Sequence, residues 1–300
     1  MTDGGVHSGR RPGSLRRRER LIGLAAVAPA LVVVLGFMVY PILFALYISF
    51  TRSNGVTFEW VGLKNYADLV TDDLVHQVLF TNFKFLIAVP LVIGIALIIA
   101  VLLFERIRGW RFYRILFFLP NVLSAAVIGL MFKSLFGYSG PFNAALEQLG
   151  FGRVDPFANG DLAIIVIIAG LVWAGFGYQS LLLLSAIVAI DPAVFEAAAI
   201  DGAGWWKRLW YITLPNIRRV LGFVFIINVL YTFGSLFGFI FVMTAGGPGY
   251  STTTLDYLVY LKAFSTSNLG SGAALSVLLF ALIGVLTIAQ AKFFKVSEGD

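Results

Sequence analysis

Four side chains in one apolar stretch could form a binding face for a hydroxylated solute. Asn228, Tyr231, Thr232 and Ser235 follow one another at intervals that place all four on one side of a helix. Their amide and hydroxyl groups can exchange hydrogen bonds with a solute, and the tyrosine ring adds a flat apolar surface. Polar groups within apolar segments usually face a bundle interior or a wet cavity. We therefore interpret this face as part of a solute pathway.

A second set of polar and small residues lies in the apolar stretch 162–190. Trp173 and Tyr178 supply rings and hydrogen-bonding groups, and Gly175 leaves room beside Tyr178 on the same helix face. Further polar side chains at this depth are Gln179 and Ser180, with lower-ranked candidates elsewhere at Asn82 and Asn121. The alternative is that such groups only hydrogen-bond one helix to another. We predict solute contacts for Trp173, Gly175 and Tyr178 and leave that alternative open for each residue.

No residue set in the sequence has the pattern of an enzyme active site. The chain has no cysteine, and its two histidines, His7 and His76, form no cluster with acidic residues. The phosphate-binding pattern Gly-x-x-x-x-Gly-Lys-Ser/Thr is missing, and Gly202-Ala203-Gly204 follows a predicted helix where a nucleotide cradle needs a strand. We therefore predict no catalytic residue, no metal site and no cofactor in this chain.

A membrane-embedded helical bundle must position these residues. Hydrophobic residues make up 59% of the chain and charged residues 13%, whereas soluble domains carry about 25% charged residues. The apolar stretches match the length of a bilayer-spanning helix and do not alternate as barrel strands would. The six predicted spans are 21–50, 80–104, 115–136, 162–190, 220–243 and 269–291. The predicted fold class is all-α, a polytopic membrane protein with six transmembrane helices.

The distribution of positive charge predicts the orientation of the bundle. Of the 22 Lys and Arg residues, 16 fall on the side that carries both termini and four on the other. Because such residues stay in the cytoplasm during insertion, we predict both termini inside. The net charge of +6 thus reflects topology and does not indicate nucleic-acid binding. We divide the chain into a mobile basic tail (1–20), one six-helix domain (21–295) and a short C-terminal tail (296–300).

The predicted cytoplasmic loop 191–217 contains residues that typically begin and end helices, and it is predicted to form two short ones. Asp191 can cap the first helix, Pro192 suits its first position, and Gly202 supplies the left-handed turn that ends it. The second helix is predicted over 205–211 and stops before Pro215. Small residues on the first helix, Ala193, Ala197 and Ala198, would let another protein surface approach closely. By composition alone, an interfacial loop without a partner remains an alternative.

This loop resembles the EAA motif of binding-protein-dependent ABC importer permeases. The matching motif positions are Glu196, Ala197, Ala198, Gly202, Ile212, Leu214 and Pro215. Other stretches are similar to the branch that includes the maltose and glycerol-3-phosphate permeases, namely Tyr40-Pro41 with Ser49-Phe50, 62–66, 244–249 and 251–255. The Gly246-Gly247-Pro248-Gly249 sequence resembles the first permease of such a pair. The resemblance covers about residues 21–294.

The resemblance implies a permease that imports a sugar or related polar solute. It implies that the loop is a coupling helix docked in an ATPase subunit, with Glu196 facing a basic group and Asp201 and Gly202 at the turn. It also places the solute site on the spans that flank the loop. The implied partners are a second permease, two ATPase subunits that bind ATP and Mg, an extracytoplasmic solute-binding protein and the lipid bilayer of a bacterial cytoplasmic membrane. The alternative is a stand-alone secondary carrier or channel, disfavoured because no charged residue lies near the middle of a predicted span.

Overall fold

The computed structural model describes residues 13–296, which form helices and one short hairpin. The α-helices are α1 (Gly13–Val34), α2 (Tyr40–Ser49), α3 (Lys64–Val70), α4 (Asp73–Phe85), α5 (Ala88–Phe104), α6 (Trp110–Phe118), α7 (Ala125–Phe136), α8 (Pro141–Gln148), α9 (Gly160–Val188), α10 (Pro192–Ile200), α11 (Trp205–Arg208), α12 (Leu214–Gly234), α13 (Phe237–Met243), α14 (Leu255–Tyr260) and α15 (Leu269–Val296). The hairpin pairs β1 (Thr51–Ser53) with β2 (Phe58–Trp60) in antiparallel register. The predicted all-α membrane fold is confirmed.

Within residues 13–296, five helices are long and apolar enough to cross a membrane. They are Ala25–Ser49, Asp73–Phe104, Gly160–Val188, Trp205–Gly234 and Leu269–Phe294. A bent pair, Trp110–Val122 and Ala125–Gln148, makes a sixth if the pair counts as one span. Helix α1 begins at Gly13, so residues 13–20 of the predicted tail are helical. The rest of that tail, residues 1–12, and residues 297–300 lie outside the described part of the chain.

The third predicted span, 115–136, is present as a bent pair of helices, with the break at Pro120. Its two halves meet at an angle of 99°. Pro120 lies in a 3₁₀ turn, Leu119–Val122, that ends the first half, and proline provides no N–H to continue a helix. The second half has its own N-cap, because the Ser124 hydroxyl accepts a hydrogen bond from the Val127 N–H at 3.3 Å. The break is therefore built into the local sequence.

The fifth predicted span, 220–243, is wrong at both ends. It begins far earlier, because α11 continues through a π-helical stretch, Leu209–Thr213, directly into α12. This wide turn accommodates Pro215, whose missing N–H was expected to stop the helix. At the other end α12 stops at Gly234, and α13 starts afresh at Phe237. The described part of the chain thus contains two broken membrane segments, the first formed by α6 and α7 and the second by α12 and α13.

Helix α9 lies at the centre of the packing. It packs along α5 and also against the end of α6. Gly177 allows the second contact, because a Cβ atom at that position would lie 1.9 Å from the Phe117 carbonyl oxygen. Small residues at such crossings let helix backbones approach closely in membranes. The absence of a side chain at Gly177 therefore fixes the spacing between α9 and the first broken segment.

Candidate functional site

A cavity of about 350 Å³ lies between helices α5 and α9 and the two broken segments, α6–α7 and α12–α13. Its lining residues are Ala88, Val89, Val92, Pro120, Asn121, Leu123, Ala125, Ile128, Leu171, Ala174, Gly175, Tyr178, Gln179, Ile227, Asn228, Tyr231, Thr232 and Phe239. The polar members carry amides and hydroxyls, and none of the lining residues is charged. Such a lining can exchange hydrogen bonds with a neutral solute while its apolar members contact carbon atoms.

Five of the seven residues predicted to contact solute line this cavity. Gly175 and Tyr178 lie on α9, and Asn228, Tyr231 and Thr232 lie on α12. The Asn228 amide donates to the Val224 carbonyl at 2.7 Å, and the Thr232 hydroxyl donates to the Asn228 carbonyl at 2.9 Å. These bonds along α12 hold both side chains in place. Tyr178 and Tyr231 are 43% and 41% exposed, so their rings are accessible to a solute.

The other two predicted residues, Trp173 and Ser235, do not line the cavity. The Trp173 ring packs against Phe132 with centroids 5.9 Å apart, in a separate apolar recess. Ser235 was expected on the same helix face as Asn228, but α12 ends at Gly234 and Ser235 has φ of −142°. The helical spacing that placed Ser235 on this face therefore does not extend to it.

Two further cavity residues, Asn121 and Gln179, were named as polar candidates from the sequence but were not among the seven residues predicted to contact solute. Asn121 reaches the cavity because the first broken segment bends there. Gln179 is 6% exposed, and its Oε1 atom has no hydrogen-bond partner in the described part of the chain. A buried carbonyl without a partner is costly. The sequence signal for Gln179 was its position four residues after Gly175, which places both on one face of α9.

Helix α10 lies in the loop that the sequence singled out. The Asp191 carboxylate accepts a hydrogen bond from the Ala193 N–H at 2.9 Å, Pro192 begins the helix, and Gly202 follows it with φ of +70°. These three predictions are confirmed. Glu196, Ala197, Asp201 and Gly202 are exposed, whereas Ala198, expected on the docking face, is buried within the chain. The exposed face is thus narrower than expected.

Two contacts join α10 and α11 to the end of α5. The Phe104 and Phe195 rings have centroids 5.1 Å apart, and Arg208 lies 3.7 Å from Glu105 in a half-buried ion pair. Because α5 also lines the cavity, these contacts link the loop mechanically to the cavity wall. Further along, Ile212 and Leu214 are half-buried and Pro215 is exposed, so only part of the motif is available to another protein.

The chain is similar to transport-system permeases along nearly its whole length. It is 34% identical over 281 residues to the sn-glycerol-3-phosphate transport system permease protein UgpA of Rhizobium meliloti, covering 92% of this chain and 96% of that protein. It is also 34% identical over 267 residues to the multiple sugar-binding transport system permease protein MsmF of Streptococcus mutans, covering 87% and 91%. No protein-family model matches the chain.

Solved structures share the fold. A bacterial ABC transporter involved in the import of the acidic polysaccharide alginate superposes with a TM-score of 0.81 at 20% sequence identity, covering 93% of this chain and 96% of that chain. The same type of transporter in complex with an alginate-bound periplasmic protein gives a TM-score of 0.78. The sequence relatives show that the chain belongs to the family of transport-system permeases that includes the sn-glycerol-3-phosphate and multiple sugar-binding permeases.

Proposed function

We propose that this chain provides the membrane pathway for a sugar or polyol in an importer whose energy comes from separate ATPase subunits. The observation that carries the proposal is the exposed face of α10, which is joined to the wall of an uncharged cavity through α5. Movement of an ATPase against α10 would displace α5 and thereby change the shape of the cavity. The relatives' names, sn-glycerol-3-phosphate and multiple sugar-binding permease, support a small hydroxylated solute.

The proposal assigns distinct roles to the two sets of residues. Tyr178 and Tyr231 would stack on the solute, while Asn228 and Thr232 would exchange hydrogen bonds with its hydroxyl groups. On the cytoplasmic side, Glu196 would pair with a basic group of the ATPase, and its loss would leave that group unpaired in a partly desolvated cleft. ATP and Mg would bind the ATPase subunits and not this chain.

The complete importer would contain a second permease, two ATPase subunits and an extracytoplasmic solute-binding protein. Both termini of this chain would face the cytoplasm of a bacterial cell, in keeping with the positive charge on that side. The Gly246-Gly247-Pro248-Gly249 loop supports the role of first permease in the pair. ATP binding would open the cavity outward to receive solute, and hydrolysis would reset it.

The direct test is co-purification of an ATPase with the chain from its native membrane in mild detergent. Glu196→Lys reverses the charge on the exposed face of α10, and Gly202→Asp places a side chain at a position with φ of +70°. Both variants should lose the ATPase, whereas wild type should retain it. Glu147→Lys is the matched control, because Glu147 is exposed on α8 and pairs with Arg153 away from α10.

Two outcomes would contradict this proposal. One is an unchanged yield of ATPase with both loop variants. The other is uptake of solute by the purified chain alone in vesicles, without any ATPase, which would make the chain a secondary carrier. In both cases, size-exclusion chromatography would show whether the chain remained folded.

A further inference from the structure

The break between α12 and α13 leaves backbone groups that a continuous helix would pair. In an α-helix the Leu236 N–H would donate to the Thr232 carbonyl and the Phe237 N–H to the Phe233 carbonyl. The last regular bond runs from the Ser235 N–H to the Tyr231 carbonyl at 3.0 Å. Buried polar groups without partners are costly, particularly within a membrane. The break therefore needs partners from elsewhere in the chain.

Asn82 on α4 supplies one of these partners. It is 0% exposed, and its side-chain amide donates to the Thr232 carbonyl at 3.0 Å. Its Oδ1 atom accepts from the Leu255 N–H, the first of α14, at 2.8 Å. Asn82 thus joins three elements, α4, α12 and α14, and has both ends of its amide bonded to the chain.

Asp256 on α14 supplies another partner. Its Oδ2 atom accepts from the Phe237 N–H at 2.7 Å. Its Oδ1 atom accepts from the Tyr257 N–H at 2.9 Å and from the Thr254 hydroxyl. One N–H group freed by the break, that of Phe237, therefore has its acceptor in the Asp256 carboxylate, which caps the start of α13.

The hydrogen bonds of Asn82 and Asp256 indicate whether these side chains hold the backbone or bind solute. A carboxylate offers about four acceptor positions, and three donors of the chain bind to Asp256: the Phe237 N–H, the Tyr257 N–H and the Thr254 hydroxyl. Asn82 is likewise bonded at both ends and does not line the cavity. Both side chains thus already hold backbone groups of the chain: Asn82 bonds the Thr232 carbonyl in α12, and Asp256 bonds the Phe237 N–H at the start of α13.

We propose that Asn82 and Asp256 are positioning residues that hold the end of α12, so that Tyr231 and Thr232 face the solute cavity. The structure of this site does not depend on what the cavity binds. Only the effect on uptake rests on the proposed function. The Asp256 carboxylate next to the cavity would therefore bind backbone groups at the break between α12 and α13. It would neither transfer protons nor pair with a charged solute.

The test uses the fact that the chain contains no cysteine. Thr232→Cys introduces a single thiol at a position that is 3% exposed, within the full-length chain in its native importer. Its reaction rate with a small maleimide is then measured with Asp256→Leu, Asp256→Asn or Asn82→Leu added. Loss of the backbone partners should free the end of α12 and raise the rate about tenfold in the two Leu variants, and less in Asp256→Asn, which keeps one acceptor oxygen.

Asp161→Leu is the matched control, because the Asp161 side chain is 86% exposed at the start of α9 and should leave the rate unchanged. Uptake gives a second readout: Asp256→Asn should raise KM several-fold with an unchanged maximal rate, whereas a purely structural role would reduce only the amount of importer. An unchanged thiol reactivity in Asp256→Asn and Asn82→Leu importers that assemble normally would overturn the positioning role. If the labelling rates change as expected but no ATP-dependent uptake is found, the result would count against the proposed function and not against the positioning role.

Discussion

Replacement of Gly177 by Ala tests the close contact between α9 and the end of α6. The new Cβ atom would lie 1.9 Å from the Phe117 carbonyl oxygen, whereas such contacts are essentially never shorter than 3.0 Å. The two backbones must therefore separate by about 1.1 Å, because neither atom belongs to a flexible side chain. Overpacking of this kind costs about 1–3 kcal/mol, and the higher helix propensity of Ala returns at most about 1 kcal/mol.

The net loss of about 1–2 kcal/mol should lower the apparent melting temperature in detergent by roughly 2–8 °C. Gly284→Ala is the control, because Gly284 also lies within a long helix and a Cβ there meets nothing within 4 Å. That variant should melt at or above the wild-type temperature. Equal melting temperatures for Gly177→Ala and Gly284→Ala would show that α9 and α6 are not in backbone contact.

Two further substitutions test polar contacts at opposite ends of the bundle. Glu105→Gln removes the charge that faces Arg208 at 3.7 Å. Because the pair is about one-third exposed, the free energy of unfolding should change by less than about 1 kcal/mol. The amount of solute transported per ATP hydrolysed should fall, and an unchanged ratio would count against coupling through α5. At the other end of the bundle, burial opposes ionisation of Asp72, but hydrogen bonds from Lys262 and the Leu74 N–H outweigh it and hold the pKa of Asp72 below its ordinary value. Ionised Asp72 therefore adds stability above the pKa of the unfolded chain that is lost as the pH falls through the lower folded pKa. Asp72→Asn should melt about 2–4 °C below wild type at pH 7, a difference that disappears as the pH falls below 3.8; a difference that persists in acid would refute the assignment.

Hydropathy predicted the existence of the spans better than their continuity. Apolar stretches of sufficient length were visible for all six segments, because lipid requires them. The break after α12 was not predicted, since a window of apolar residues is equally apolar whether its helix is continuous or interrupted. Its partners, Asn82 and Asp256, lie in other elements of the chain. Tertiary hydrogen bonds of this kind leave no periodic signal in the sequence.

The candidate site was predictable where a residue lies on a regular helix. Spacing on α12 correctly brought Asn228, Tyr231 and Thr232 to one cavity, although their contact with solute remains a prediction. It failed for Ser235, because the helix had already ended. Trp173 was selected for its chemistry alone, and its neighbours in the sequence could not reveal that it packs on Phe132.

The wide turn at Leu209–Thr213 sets the rotational phase between the two ends of one long helix. Each residue of an α-helix turns the chain by about 100°, and a π-helical turn contains one residue more than its α-helical equivalent. The extra residue therefore determines which direction the cavity face of α12 points when the α11 end is held against α5. Deletion of one residue from this turn would leave the side chains of α12 unchanged, yet it would rotate Asn228 and Tyr231 about the helix axis by about a quarter of a revolution. The number of residues in this turn thus determines the direction of the cavity face of α12 as much as the choice of side chains on that face determines its chemistry.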